Sequence, residues 1–205
     1  MVAHHIHDAL SQVRRLQELI LNKKRFQGYS GKARILSGLL ALATSAVLTH
    51  PAVPRTANAH LAGWAISLTA ALVLNYGALA KWFLFNPEVR REPRMLKPAL
   101  DAVPALAVGA VLSLVLILNG QHRFLFGVWM SLYGVAQTAY RQSLPPGIYG
   151  VGVAYIAAGL LCLLWPGSSF TNPWSMGLVF FAGEIAGGMI LLQNQTATDE
   201  RTSQE

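Results

Sequence analysis

The last apolar segment of the chain, Thr171 to Gln193, constrains the fold most strongly. Its sequence, TNPWSMGLVFFAGEIAGGMILLQ, is long enough for one helix to cross the roughly 30 Å hydrocarbon core of a bilayer. A single acid, Glu184, lies eleven residues after Pro173, about 16 Å along a helix and therefore near the midplane. A carboxylate there costs about 2.5–3.5 kcal/mol, so we expect Glu184 to be neutral, paired with a cation, or in contact with water.

The composition of the whole chain is that of a membrane protein. Of its 205 residues, 53% are hydrophobic and 12% are charged, about half the charge of a typical soluble domain. The net charge of +7 comes from Lys and Arg that lie next to apolar runs rather than in a soluble basic domain, so we expect no nucleic-acid partner. One cysteine, Cys162, allows neither an intramolecular disulfide nor a thiolate metal cluster, and we expect no metal and no cofactor.

Apolar runs separated by Pro, Gly and charged residues predict an all-α polytopic membrane protein with six transmembrane helices. The spans are expected at residues 35–49, 61–85, 99–118, 124–140, 148–165 and 171–193. They form three helical hairpins, at about 33–85, 98–141 and 147–193, which share glycines at similar positions. The predicted parts are a basic amphipathic arm (1–34), a six-helix domain (35–193) and a disordered tail (194–205).

The distribution of Lys and Arg predicts the orientation. With the N-terminus inside, 14 Lys and Arg residues lie on the inner side, seven of them in the arm, and only Arg55 and Arg123 lie outside. Cytoplasmic loops carry such an excess, so both termini are expected in the cytoplasm and the chain in the inner (plasma) membrane. The arm is expected to contact anionic lipid, or alternatively to be a solvated helix that only satisfies the orientation rule.

The third hairpin also carries a family resemblance. The outer turn LLCLLWPGSS (160–169) and the helix MGLVFFAGEIAGGMIL (176–191) that follows it resemble the HdeD-type acid-resistance membrane family. The resemblance covers about residues 33–193 and rests on the pattern of small-residue hairpins. It implies six spans and a role in tolerance of acid at the bacterial inner membrane, and it carries no catalytic residues.

Glu184 is the first candidate for chemistry. A buried acid in a span indicates a proton or cation site, and the alternative is a neutral side chain that hydrogen-bonds across helices as a structural element. Gly183 and Gly187 flank it and predict close helix packing. Possible partners in the inner halves of other spans are Asn75, Tyr76, Gln137 and Tyr140.

Two further sets of titratable residues are expected near the membrane surfaces. Asp101 opens the third span, where a carboxylate complements the helix dipole and can pair with Lys97 or Arg94. Histidine changes charge near pH 6.5, so three histidines at outer turns are candidates for sensing external pH, although unrelated interfacial residues are the alternative. These histidines are His50, His60 and His122.

The chain has no hydrolase elbow, zinc-helix, phosphate-loop or CxxC motif, so an enzyme is not expected. Three functions stay open: a stress or acid-resistance membrane protein with a regulatory arm, a small transporter or channel for protons or cations that uses Glu184, and a structural subunit of a membrane complex. The expected partners are the lipid bilayer, a second copy of the chain, or a membrane or cytosolic protein.

Overall fold

The computed structural model describes residues 12, 13, 16, 29–85, 100, 102–139 and 144–202, with side chains to residue 196. The described residues are helical without strands, which confirms the all-α prediction. Most of the arm and the 86–98 loop lie outside this part of the chain. Six main helices are present in it: α1 Gly31–Leu48, α2 Ala57–Phe85, α3 Val103–Leu118, α4 Leu125–Ala139, α5 Pro146–Leu164 and α6 Trp174–Thr202.

Local sequence determines where these helices begin. The hydroxyl of Ser30 accepts a hydrogen bond from the backbone N–H of Ala33 at 3.2 Å, so α1 begins four residues before the predicted Ile35. Pro146 opens α5, where its missing N–H and fixed φ suit the first turn. Gly120, at a φ of 67°, makes the turn between α3 and α4, a left-handed conformation that glycine adopts without strain.

The end of α6 differs from the prediction. We expected a disordered tail from Asn194, but α6 continues to Thr202. The reason is that neither Pro nor Gly follows Gly188 to stop the helix. The Gln195 side chain also donates to the backbone carbonyl of Tyr29 at 3.5 Å, which ties the extension to the start of α1.

Four of the helices are long and apolar enough to cross a membrane. They are Gly31–Leu48, Ala57–Phe85, Pro146–Leu164 and the first part of α6, Trp174–Thr196. At 16 and 15 residues, α3 and α4 are shorter than the roughly 20 residues of a typical span. Helix α4 is preceded by a single 3-10 turn, His122–Phe124. The architecture is therefore compatible with a membrane protein.

The closest helix packing joins neighbouring hairpins rather than the two arms of one hairpin. Helices α1 and α6 pack most extensively, together with α4 and α5. Both seams run through small residues, because a Cβ on Gly188 would lie 2.7 Å from the carbonyl oxygen of Gly31, and one on Gly159 would lie 2.7 Å from that of Gly127. Helices α2 and α3 pack on the outside of α1 and α4.

The bundle has two distinguishable ends. We call the end with the turns at 49–56, 119–121 and 165–173 the hairpin end, and the opposite end, where α1 begins, the terminal end. The larger core cluster lies toward the hairpin end, where Phe126 is in ring contact with Trp64, Trp129 and Phe170. A smaller cluster around Ile148 and Leu191 lies toward the terminal end.

Candidate functional site

Glu184 forms a buried ion pair with Arg34, a residue that the sequence analysis placed in the cytosolic arm. Nη2 of Arg34 lies 2.8 Å from Oε1 of Glu184, and its Nε lies 2.9 Å from Oε2. This two-point contact is the geometry in which a guanidinium and a carboxylate bind most strongly. Arg34 is 5% exposed and Glu184 is 2% exposed, so both charges are enclosed by the protein.

Two tyrosines from neighbouring helices complete the contacts of the carboxylate. The hydroxyl of Tyr133 on α4 lies 2.8 Å from Oε1 of Glu184, and that of Tyr155 on α5 lies 3.1 Å from the same oxygen. The Tyr155 hydroxyl is also 3.3 Å from the carbonyl oxygen of Phe180. Three of the four contacts with Arg34 and the tyrosines therefore fall on Oε1, and the fourth, from Nε of Arg34, falls on Oε2.

Gln137 holds the other side of the guanidinium. Its side-chain oxygen accepts a hydrogen bond from Nη1 of Arg34 at 3.1 Å, and the residue is 4% exposed. The site therefore joins α1, α4, α5 and α6 around a pair with no net charge. We call this set the Arg34–Glu184 network: Arg34, Tyr133, Gln137, Tyr155 and Glu184.

Gly183 and Gly187 give the network its space. A Cβ on Gly187 would lie 2.7 Å from Cζ of Arg34, and a Cβ on Gly183 would overlap the Tyr155 ring. These two positions are therefore in contact with the guanidinium and with the phenol, inside the bundle. Their small size lets the large polar side chains reach Glu184, so this face of α6 is covered by the chain itself.

The network lies close to the terminal end of the bundle. Arg34 is the fourth residue of α1, and Gly188, one turn beyond Glu184, faces Gly31 at the helix start. The pair is therefore about one helical turn inside the terminal end of α1. Enclosing two charges has a large desolvation cost, which a pair offsets only when the remaining donors and acceptors are also satisfied. The contacts of Gln137 and the two tyrosines add hydrogen bonds of this kind on both sides of the pair.

The other predicted partners of Glu184 lie elsewhere. Asn75 donates to Ser37 Oγ at 2.8 Å and to the carbonyl oxygen of Ala71 at 2.9 Å, and it joins α1 to α2. Tyr76 is exposed on α2. Asp101 and Tyr140 are outside the described residues.

The three predicted pH-sensing histidines have different surroundings. His50 is exposed in the turn after α1, where its Nδ1 accepts the backbone N–H of Ala52 at 3.3 Å. His60 is fully buried on α2, and neither of its ring nitrogens has a hydrogen-bond partner among the described residues. The rings of His60 and His122 lie 6.2 Å and 6.1 Å from the ring of Phe170, so two of the three histidines flank one aromatic side chain.

The sequence analysis missed Arg34, Tyr133 and Tyr155. Arg34 follows a glycine break and other cations, which favoured its assignment to the arm. A usable signal was its position three and four residues before Ser37 and Gly38, on the small-residue face of α1. Tyr133 likewise lies four residues before Gln137 and shares a helix face with it.

The network can hold charge and hydrogen bonds, but its arrangement does not resemble a metal centre. Among the described residues, no three His, Cys, Asp or Glu side chains lie close enough together to hold a metal ion. The polar groups around Glu184 are a guanidinium, an amide and two phenols, and a guanidinium does not ligate metals because it has no acceptor. The chemistry open to the site is proton exchange at the carboxylate, or structural pairing.

Comparisons of the chain with protein-family models, with curated proteins and with solved structures find no match.

Proposed function

We propose that the chain is a non-enzymatic, six-span protein of the inner (plasma) membrane, with the terminal end of the bundle in the cytoplasm. Four long apolar helices and the many exposed aliphatic side chains on α2 and α3 support this placement. The excess of Lys and Arg on the side of the termini supports the orientation. In this placement the short helices α3 and α4 cross the bilayer with local thinning or with flanking residues at its surface.

Within that class, the proposed role is regulatory: the bundle is a rigid base that presents its basic arm to anionic lipid or to a protein partner. The observation that carries this proposal is the pairing of Glu184. An acid that transports protons or cations has to exchange them with water, whereas here a fixed guanidinium and two tyrosine hydroxyls occupy the carboxylate. The network joins four helices, and Arg34 lies only four residues after Ser30, so it also anchors the end of the arm.

Flux measurements in liposomes test this proposal. The purified full chain is reconstituted with a pH-sensitive dye inside the vesicles, and a proton gradient is applied with and without Na⁺ or K⁺. We expect the proton flux into vesicles that contain the wild-type chain to equal the flux into protein-free vesicles. Flux by the wild type that Glu184→Gln abolishes, in a variant that remains folded, would overturn the regulatory proposal.

A proton- or cation-coupled transporter is the second candidate function, and one observation favours it. The hydroxyls of Tyr133 and Tyr155 both touch Oε1 of Glu184, so a proton leaving the carboxyl group has two neighbouring oxygens to reach. In such a cycle Arg34 has to release Glu184 when the acid is protonated. Tyr133→Phe should then slow flux without unfolding the chain.

Two finer proposals concern the stress response and assembly. A role in tolerance of external acid is supported by the resemblance of the third hairpin and by the burial of His60 near the hairpin end. Assembly as a structural subunit, or as a homo-oligomer, needs a surface other than Gly183 and Gly187, since Tyr155 and Arg34 cover those residues. The exposed aliphatic faces of α2 and α3 are among the surfaces available for it.

A further inference from the structure

An apolar groove runs between α1 and α2 on the outside of the bundle. Its volume is about 560 Å³, and only aliphatic side chains line it. Leu36 and Val73 on its walls are 51% and 67% exposed, so the groove is open to the surroundings of the bundle. The lining residues include Leu36, Leu40 and Ala43 of α1 and Ala70, Val73 and Leu74 of α2.

Two lysines lie at the terminal end of this groove. Lys32 is one turn before Leu36 on α1, and Lys81 is about two turns after Leu74 on α2, so each lies on the groove face of its helix. Both are exposed, and neither forms an ion pair with a described residue. Between Leu74 and Lys81, a Cβ on Gly77 would meet no atom within 4 Å, so the space along α2 stays open toward the lysines.

The register of the two helices brings the lysines to one level. The hydrogen bond between Asn75 and Ser37 joins α2 to α1 at 2.8 Å. Lys32 lies five residues before Ser37 and Lys81 six residues after Asn75, so both are about 8–9 Å beyond this bond along the helices. In the placement proposed above, that level is the inner leaflet's headgroup region and the groove lies in its acyl region.

We propose that this groove binds one anionic phospholipid, with an acyl chain along the aliphatic walls and the phosphate between Lys32 and Lys81. The charge arrangement carries the proposal. The aliphatic groove ends at two cations, so it is complementary to an amphiphile with an apolar chain and a negatively charged headgroup. A zwitterionic lipid offers the same chain without net charge. The inference rests on the membrane placement proposed above, but not on the role of Glu184.

Native mass spectrometry of the full chain in detergent, titrated with dioleoyl phosphatidylglycerol or dioleoyl phosphatidylcholine, tests this site. We expect one phosphatidylglycerol to bind at least about tenfold more tightly than phosphatidylcholine, because each lysine adds attraction for a negative headgroup. The paired change Lys32→Gln and Lys81→Gln should remove most of that preference. Arg55→Gln, which removes an exposed cation at the hairpin end, is the matched control and should leave the preference unchanged.

A second variant tests the groove itself. Ala43→Trp fills the space between the walls and should abolish the bound phosphatidylglycerol, whereas Val111→Trp on the exposed face of α3 should not. Equal binding of the two lipids by the wild type would overturn the proposal, as would a preference that survives the lysine changes or Ala43→Trp. An oligomer that forms through the groove in place of a lipid adduct would also overturn it. Alkaline carbonate extraction of the wild type from cell membranes tests the membrane placement separately.

Discussion

Nη2 of Arg34 and Oε1 of Glu184 lie 2.8 Å apart although 150 residues of chain separate them. The contact joins the first turn of the first main helix to the middle of the last. Because both side chains are enclosed, neither charge can be removed alone without leaving its partner unpaired in the protein interior. Substitution of either partner should therefore have a large effect on the stability of the bundle.

Breaking the ion pair from one side should destabilise the bundle strongly. Arg34→Met leaves the Glu184 carboxylate buried without its cation, and we expect a loss of about 3–5 kcal/mol in the free energy of unfolding. Replacing both partners, Arg34→Met with Glu184→Leu, should recover much of that loss because no charge remains buried. Equilibrium unfolding in mixed micelles measures these differences. Lys32→Met, which removes an exposed cation two residues away, is the matched control and should leave the free energy of unfolding nearly unchanged in micelles without lipid. An Arg34→Met variant as stable as the wild type would contradict the prediction.

The position of Arg34 also predicts where the arm can be removed. Deleting residues 1–28 keeps the Ser30 cap and the ion pair, so we expect a monodisperse protein with nearly unchanged thermal unfolding. Deleting residues 1–34 removes the cap, worth about 1 kcal/mol, and leaves Glu184 unpaired. That protein should unfold at a clearly lower temperature, and adding Glu184→Gln should restore part of its stability. Similar behaviour of the two deletions would show that the pair contributes little.

Alanine substitutions should have opposite effects on stability at a glycine that packs against another helix and at a glycine with open space around it. Gly183→Ala places a methyl group against the Tyr155 ring, and overpacking of this kind costs about 1–3 kcal/mol. Gly150→Ala on α5 is the control, since a Cβ there meets no atom within 4 Å and alanine favours the helix by up to about 1 kcal/mol. The unfolding temperature should therefore fall in the Gly183→Ala variant and rise in the Gly150→Ala variant. A stabilising Gly183→Ala change would be inconsistent with the close contact.

The burial of His60 predicts acid sensitivity at the hairpin end. Protonation would place a charge among Phe170 and other core residues without a described partner, which is costly. Unfolded histidine takes up a proton below about pH 6.5, so the wild type should lose stability as the pH falls from 7 to 5. His60→Leu should reduce that loss, whereas His50→Leu, at an exposed position, should not. Thermal unfolding at both pH values measures the effect, and an equal loss in all three proteins would exclude His60 as its source.

The helices themselves could be predicted because apolar length, proline and glycine act locally. Five of the six helices begin and end within about four residues of a predicted segment, and at α1 the difference arises from the Ser30 cap, whereas α6 continues nine residues beyond Gln193. The Arg34–Glu184 pair depends instead on which helices pack together. Apolar periodicity predicts that a helix buries one face, but it does not identify the partner helix, so Arg34 was assigned by its sequence neighbours to the arm.

In the candidate site, too, the sequence indicated which residues are unusual but did not indicate which residues they contact. Glu184 and Gln137 were recognised because polar residues are conspicuous in apolar helices, and both belong to the network. Asn75 carried the same signal, yet it bonds Ser37 on the neighbouring α1. Tyr133 and Tyr155 gave a weaker signal, because tyrosine is common at membrane surfaces as well as in polar networks.

The tight seam between α1 and α6 has a consequence for biosynthesis. A ribosome releases α1 long before α6, so in the membrane placement proposed above the first helix would enter the bilayer before its closest partner exists. During that interval the guanidinium of Arg34, one turn from the helix start, can remain at the lipid–water boundary because its long stem reaches outward. The ion pair with Glu184 can form only after α6 has been made, so closure of the seam between α1 and α6 has to follow synthesis of the last helix.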